Sequence, residues 1–275
     1  MLVTQLLPKD LFAGRTVFVT GGGSGINLGI AKNFAALGAR IGICGRSSER
    51  LAGARVELEA LGAQVFTQSA DVRDYAALSA AMEACAAALG PIDVLVAGAA
   101  GNFAAPAEEI SANGFKTVID IDLLGAFNAA RAAIGQLQQT RGSAIFISAG
   151  QAYMPYPFQV HVGAAKAAID MMMKNLALEW GRFGVRLNSI VPGPIDGTEG
   201  MKRLGSEALK PQLERAVPLM RYGTVDDIGQ AAVFLASPLA SYITGTVLVV
   251  DGGMNLPGSG LWAMLMSQDL GGRGR

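Results

Sequence analysis

Seven short β-rich runs, at 16–20, 40–44, 64–67, 93–96, 144–147, 185–190 and 246–250, are separated by Ala-rich stretches of helical length. Most of them are close to continuously apolar, as strands buried on both faces are, and the gaps suit helical crossovers between parallel neighbours. The pattern predicts an α/β fold, a doubly wound sheet of seven parallel strands with helices on both faces. A chain of 275 residues with 51% hydrophobic content can bury one large core, and neither a Pro/Gly/Ser linker nor an internal repeat divides it. Residues 1–275 are read as a single domain.

The alternation breaks between Pro192 and about Pro218, where Gly193, Pro194, Gly197, Gly200 and Gly205 cluster. That segment follows the sixth strand's carboxyl end, the edge at which open α/β sheets bind ligands, so a substrate lid is expected at about 195–218. The Gly-rich stretch 252–275 carries an apolar patch from Leu261 to Met266, either an oligomer contact or a packed tail.

Composition narrows the partner. Basic and acidic residues balance at 22 each, so no excess field draws the chain to nucleic acid or an anionic membrane, and a small-molecule substrate is expected. Cys44 and Cys85 have neither CxxC spacing nor the density of a disulfide scaffold, and read as reduced thiols. Residues 1–12 lack the basic start and apolar run of a signal peptide, and no apolar segment spans a bilayer without charges or loop signals, which predicts a cytoplasmic enzyme without membrane insertion. The one histidine, His161, and the scattered acids have no zinc-ligand spacing, so no metal is expected.

The first strand runs into Thr20-Gly21-Gly22-Gly23-Ser24-Gly25-Ile26-Asn27-Leu28-Gly29 and then an apolar helix. Glycines let the backbone approach a pyrophosphate, and the N–H groups of the new helix face its charge; Gly21, Gly23, Ser24, Gly25 and Ile26 are the cofactor candidates of a Rossmann turn. Asn27 stands where the pattern TGxxxGxG has its last glycine; asparagine accepts a left-handed backbone, so the turn is expected to survive. The second strand ends Cys44-Gly45-Arg46-Ser47, without the acid that holds an adenosine ribose hydroxyl. Arg46 and Ser47 suit a 2′-phosphate and point to NADP(H), a solvated arginine at a helix start being the plainer reading. Asp71 and Val72 follow the third strand and are placed beside the adenine.

These residues, with Lys166, Pro192-Gly193-Pro194-Ile195 and Asp251-Gly252-Gly253, resemble the short-chain dehydrogenase/reductase family over nearly the whole chain. Within it the chain is similar to peroxisomal-type 2,4-dienoyl-CoA reductases. That likeness rests on Ala99 to Phe103, Phe115 to Val118 with Asp120 to Asp122, Val160 to Gly163, and Ala165 to Asp170. It continues through Glu179-Trp180-Gly181, Pro192 to Gly200 with Arg203-Leu204-Gly205, and Leu235 to Tyr242. The resemblance implies that Lys166, Pro192, Gly193, Ile195 and Thr198 hold the cofactor, that Ser111, Ala112 and Asn113 lie around the ligand, and that the protein is a homo-oligomer, a tetramer.

One position departs from the wider family. The family's catalytic tyrosine precedes the lysine by four residues, and here that residue is Val162. The dienoyl-CoA reductases share the loss and are thought to use an aspartate four residues after the lysine, here Asp170, with a water. Independently, 162, 166 and 170 form one stripe of a helix, so Lys166 and Asp170 share a face. A carboxylate beside an ammonium can order a water for proton transfer, or the two can form a structural ion pair. Tyr153 and Tyr156 are alternative donors but read better as substrate-wall residues; the upstream tyrosine of mitochondrial dienoyl-CoA reductases aligns with Gln151. Ser148 reads as a catalytic-serine neighbour or a strand-end cap, and His161 as a packed, hydrogen-bonded histidine. The family's Asn-Asn-Ala-Gly after the fourth strand reads Ala97-Gly98-Ala99-Ala100, and its central-helix asparagine is Asp122. The proton relay has been rebuilt or abandoned.

Asn102 and Phe103, just past the fourth strand, are candidates for contact with the acyl part. Lys202 and Arg203 on the lid either meet CoA phosphates or are exposed helix charges. The resemblance implies NADPH-dependent reduction of a 2,4-dienoyl-CoA to a 3-enoyl-CoA. A reductase of another carbonyl or enoyl substrate with an atypical acid, and a nucleotide-binding protein without turnover, remain open alternatives. The sequence ends Arg273-Gly274-Arg275, without a Ser-Lys-Leu-like peroxisomal signal.

Overall fold

The computed structural model describes residues 4, 7–199, 201 and 210–256. Seven strands form one parallel sheet in the order β3-β2-β1-β4-β5-β6-β7. They are β1 Thr16–Thr20, β2 Arg40–Gly45, β3 Val65–Ser69, β4 Ile92–Ala97, β5 Ser143–Ile147, β6 Arg186–Pro192 and β7 Val247–Val250. All seven expected runs are strands, with ends shifted by one or two residues. The order reverses between β1 and β4, the switch point where doubly wound sheets open a crevice.

Side-chain alternation divides the core into two layers. Val17 and Val19 of β1, with Ile145 and Ile147 of β5, face helices α1 Gly25–Ala36 and α8 Val225–Ala236. Phe18, Ala144 and Phe146 from the same strands face α3 Tyr75–Leu89, α5 Gly125–Thr140 and α6 Val160–Trp180. A period of two on strands buried on both sides yields this partition directly. Close helix packing requires small residues: a Cβ at Gly29 would lie 2.4 Å from Val225 Cβ, so α1 and α8 meet nearly backbone to backbone. Further helices are α2 Ser48–Glu59, α4 Ala112–Ile119 and α7 Lys210–Ala216. Cys44 and Cys85 are free, and burial pushes both thiols up to about 12.

Two irregularities position the site. Between α4 and α5 the helix widens into a π-turn at Asp120–Leu124, which places Asp122 inward. After β6 the chain crosses at Ile195, which bridges to Gly223. Beneath that crossing lies a cavity of about 440 Å³ lined by residues including Pro194, Leu219, Val250 and Leu256. Lys202 and Arg203 of the expected lid, and the patch from Leu261 to Met266, lie outside the described residues. Among the described residues no helix is long and apolar enough to cross a membrane.

Candidate active site

The turn after β1 is built by backbone. Gly21 and Gly25 have φ of 69° and 57°, the left-handed region that glycine enters without a Cβ clash. Ser24, the residue before α1, is extended and makes no side-chain cap, and the first turn of α1 carries no acid. The leading N–H groups of α1 therefore face outward without a competing carboxylate, the arrangement that suits a pyrophosphate. These features fit a dinucleotide.

Asn27 corrects one expectation. It is helical, not left-handed, and its carboxamide Nδ2 donates to Gly98 O at 2.8 Å and to Gly21 O at 3.4 Å. A Cβ on Gly98 would lie 2.1 Å from Asn27 Oδ1. The glycine at 98 thus makes room for the asparagine at 27, and the turn after β1 is tied to the loop after β4. Thr20 Oγ1 completes the tie by accepting from Gly98 N at 3.1 Å and Ala99 N at 3.2 Å.

Arg46 is exposed and joins no ion pair among the described residues. Ser47 caps α2, accepting from Arg50 N at 3.2 Å, so its hydroxyl already has a structural task. Asp71 is gripped by Arg73, with Nη2 to Oδ2 at 2.6 Å, and this bond holds its carboxyl below the usual range. Val72 is buried beside Gly125, and its carbonyl accepts from Asn128 Nδ2 at 2.9 Å. Thr198 Oγ1 donates to Ile195 O at 2.8 Å, fixing the start of the crossing. Gly193 packs on Asp251 so closely that a Cβ would be 2.6 Å from its Cα.

Helix α6 supplies the polar centre. Lys166 is buried, and its Nζ donates to Ile147 O at 3.0 Å and pairs with Asp122 Oδ2 at 3.1 Å. The other Asp122 oxygen accepts from Gly101 N at 2.7 Å. Of the two readings of the Lys166–Asp170 stripe, the structural ion pair is not the one seen: Lys166 pairs with Asp122. Asp170 is instead turned toward Ser148 and Ser189, whose hydroxyls lie close enough to lower its pKa although neither reaches full hydrogen-bond geometry. Burial outweighs those contacts, with Asp170 only 7% exposed, and holds its carboxyl above the ordinary 3.8. Lys166 and Asp170 still share the face of α6, while Val162 at the head of the stripe is 3% exposed and packs against Val118 and Ala165.

The acyl-wall candidates converge. Phe103 is 39% exposed and lies against the start of α4, its Cζ 3.3 Å from where a Gly114 Cβ would be. Ser111 caps α4 by accepting from Gly114 N at 3.0 Å, and Ala112 and Asn113 are exposed beside it. Opposite, Tyr153 OH accepts from Asn255 Nδ2 at 2.7 Å. Burial, with Asp251 adding to it, holds both Tyr153 and Tyr156 above the usual tyrosine value. Gln151 Nε2 is taken up by Gln159 at 2.6 Å.

A family model described as enoyl-(acyl carrier protein) reductase matches residues 21–255. The chain belongs to the short-chain dehydrogenase/reductase family. It is 45% identical to the peroxisomal (3E)-enoyl-CoA-producing 2,4-dienoyl-CoA reductase of Saccharomyces cerevisiae, over 89% of this chain and 85% of that one. A short chain dehydrogenase from Bacillus anthracis superposes with a TM-score of 0.79 at 38% identity, covering 88% of this chain and 96% of the other. An NADPH-bound short chain oxidoreductase from Pseudomonas aeruginosa PAO1, described as containing an atypical catalytic center, superposes at 0.83 with 29% identity, covering 88% and 98%.

Against the pattern of short-chain dehydrogenases, the structure reads the departures as linked. Loss of the tyrosine at 162, an acid at 122 and a glycine at 98 all surround Lys166 or the loop beside it. The partner the sequence reading missed is Asp122 on Lys166. Its signal was present as an acid replacing asparagine, but nothing local tied it to a residue 44 positions away.

Proposed function

We propose that this short-chain dehydrogenase/reductase reduces 2,4-dienoyl-CoA to 3-enoyl-CoA with NADPH. The observation that carries the reading is the pairing of an apolar Val162 with a buried Asp170, whose carboxyl burial holds above the ordinary carboxylate value, on the same helix face. The likeness to the yeast reductase supports the choice of substrate. Arg46, without a carboxylate partner among the described residues and with no acid at the end of β2, supports NADPH over NADH.

Gly21, Gly23, Ser24, Gly25 and Ile26 hold the pyrophosphate, Arg46 with Ser47 the 2′-phosphate, and Asp71 with Val72 the adenine. Lys166 holds the nicotinamide ribose, and Pro192, Gly193, Ile195 and Thr198 line the nicotinamide end. When bound, NADPH supplies hydride for the δ-carbon of the dienoyl thioester. Charge then collects on the thioester oxygen as a dienolate, for which Asn102 supplies a donor. The carboxyl of Asp170, its pKa raised by burial, passes a proton through a water to the α-carbon and recovers it from solvent. Asp122 neutralises Lys166 and keeps its ammonium fixed at Ile147. Protonating carbon needs one positioned acid and leaves no alkoxide to be quenched, so this reaction tolerates losing the tyrosine better than ketone reduction does. Phe103, Ser111, Ala112 and Asn113 form the acyl wall.

We assign the chain to a single domain, a cytoplasmic location and a homotetramer. The test of function is NADPH consumption with a medium-chain 2,4-dienoyl-CoA beside a 3-oxoacyl-CoA. Turnover of the dienoyl thioester alone is expected; turnover of the 3-oxo compound instead would assign a carbonyl reductase, and tight NADPH binding without either reaction would remove the proposed activity.

A further inference from the structure

His161 is the chain's one histidine, it is 0% exposed, and the proton path through Asp170 makes no use of it. Its ring lies 4.3 Å from that of Phe103, tilted by 40°, with Phe115 at 6.4 Å on another side. Neither ring nitrogen has a hydrogen bond of full geometry, against the expectation of a satisfied histidine. Burial holds the imidazole below the ordinary histidine range and therefore neutral at pH 7. Two groups oppose burial from the elements packed around it: the Phe103 backbone beside the ring, and the Asp122 carboxylate on the π-turn. Asp122 in turn is paired with Lys166 of His161's own helix.

The loop at 98–106 carries Asn102 and Phe103 and has no regular structure. Besides its two N–H bonds to Thr20, it is held by Gly101 N to Asp122 and by Ala105 N to Phe158 O at 3.1 Å. Phe158 itself sits at φ 65°, a left-handed conformation a bulky residue adopts only when its surroundings impose it. Between those two anchors Phe103 packs against the imidazole on one side and the start of α4 on another. A leucine or phenylalanine would fill the same volume without leaving buried polar nitrogens, which destabilise a core unless they acquire partners.

We propose that His161 is a positioning residue for the acyl pocket: the imidazole packed on Phe103 sets that ring and the neighbouring Asn102, and its ring nitrogens, which lack a hydrogen bond of full geometry, gain partners when an acyl thioester binds. It governs substrate affinity and acyl selectivity and takes no part in hydride or proton transfer. The inference rests on the acyl-CoA reading of the site.

A single histidine makes the test direct. In protein labelled with ¹⁵N-histidine, the ring signals at pH 7 are those of a neutral imidazole, and they shift when hexanoyl-CoA, a saturated and unreactive thioester, is added. In kinetics with a medium-chain 2,4-dienoyl-CoA, His161→Leu raises KM by about tenfold or more, with kcat within about threefold and NADPH Kd within about twofold of wild type. His161→Gln, which keeps a donor, recovers a large part of that loss. If the leucine variant does not fold, the glutamine variant and the wild-type spectrum carry the test. An imidazole indifferent to hexanoyl-CoA, an unchanged KM in both variants, or a fall in kcat at constant KM would each overturn the proposal. A wild type that binds hexanoyl-CoA with the expected shift but turns over no dienoyl-CoA would sink the proposed reaction and leave the role of His161 standing.

Discussion

The turn after β1 and the inner face of α6 both belong to the proposed site, yet they are built by different means. The turn is made of backbone: two left-handed glycines, an uncapped helix start, and an asparagine whose side chain replaces the space a glycine would leave. The face of α6 is made of charge: a buried lysine answered by an acid from the π-turn, and a second acid whose carboxyl burial holds above the ordinary value. A backbone site tolerates an exchange such as Asn27 for Gly98 because only shape must be conserved. A charged site cannot lose one member without leaving another unpaired, and here Lys166, next to the apolar Val162, is answered by Asp122.

The largest expected effect separates the two regions outright. Asp170→Asn removes the proton source and is expected to lower kcat by about 10²–10⁴-fold, while NADPH affinity measured by fluorescence titration stays near wild type. The same variant sharpens the electrostatic account. A carboxyl whose folded pKa is raised above 3.8 makes the native state less stable as pH rises from that value through the raised one. Asparagine carries no such charge, so thermal melts above neutral pH should show the variant at least as stable as wild type; a clear loss of Tm would mean that Asp170 is held ionised by its neighbours.

Asp122→Ala comes next. It orphans the Lys166 ammonium and the Gly101 N–H together, and removal of one partner of a buried pair costs about 3–5 kcal/mol, read as a drop in urea midpoint. On the backbone side the effect is smaller. Gly98→Ala forces its Cβ against Asn27 and should cost about 1–3 kcal/mol, and adding Asn27→Gly should recover much of it, a coupling that a double-mutant cycle measures. Additivity of the two changes would contradict the exchange. Arg46→Ala is the mildest: NADPH affinity is expected to fall by about tenfold with NADH affinity unchanged, the mark of a lost phosphate contact.

How much of this was legible in the sequence follows the same division. All seven strands, both helical layers and the glycine turn could be read, because local periodicity and chain reversal encode them. The role of Asn27 could not, since its partner Gly98 is brought near only by the pairing of β1 with β4. Lys166 and Asp170 were rightly placed on one face by helical spacing. Spacing alone left open whether they order a water or form a structural ion pair; Lys166 pairs with Asp122 from the π-turn instead, and no periodic rule forecasts where a helix will widen. Ser47 was read as a candidate for the 2′-phosphate, but its place as the cap of α2 was not legible. Ser148 proved to face Asp170, a contact that depends on β5 and β6 lying side by side.

The central claim is that carbon protonation has been moved from a tyrosine to Asp170 and a water. The most direct test runs the reduction of a 2,4-dienoyl-CoA in D₂O with NADPH and locates the label in the product, for wild type and Asp170→Asn. The account predicts one deuterium at the α-carbon, none at the δ-carbon, and a rate in the variant reduced at the protonation step while hydride still reaches the δ-carbon. Wild-type rates and labelling retained in Asp170→Asn would contradict it, and would return the proton to another group on the wall of the site.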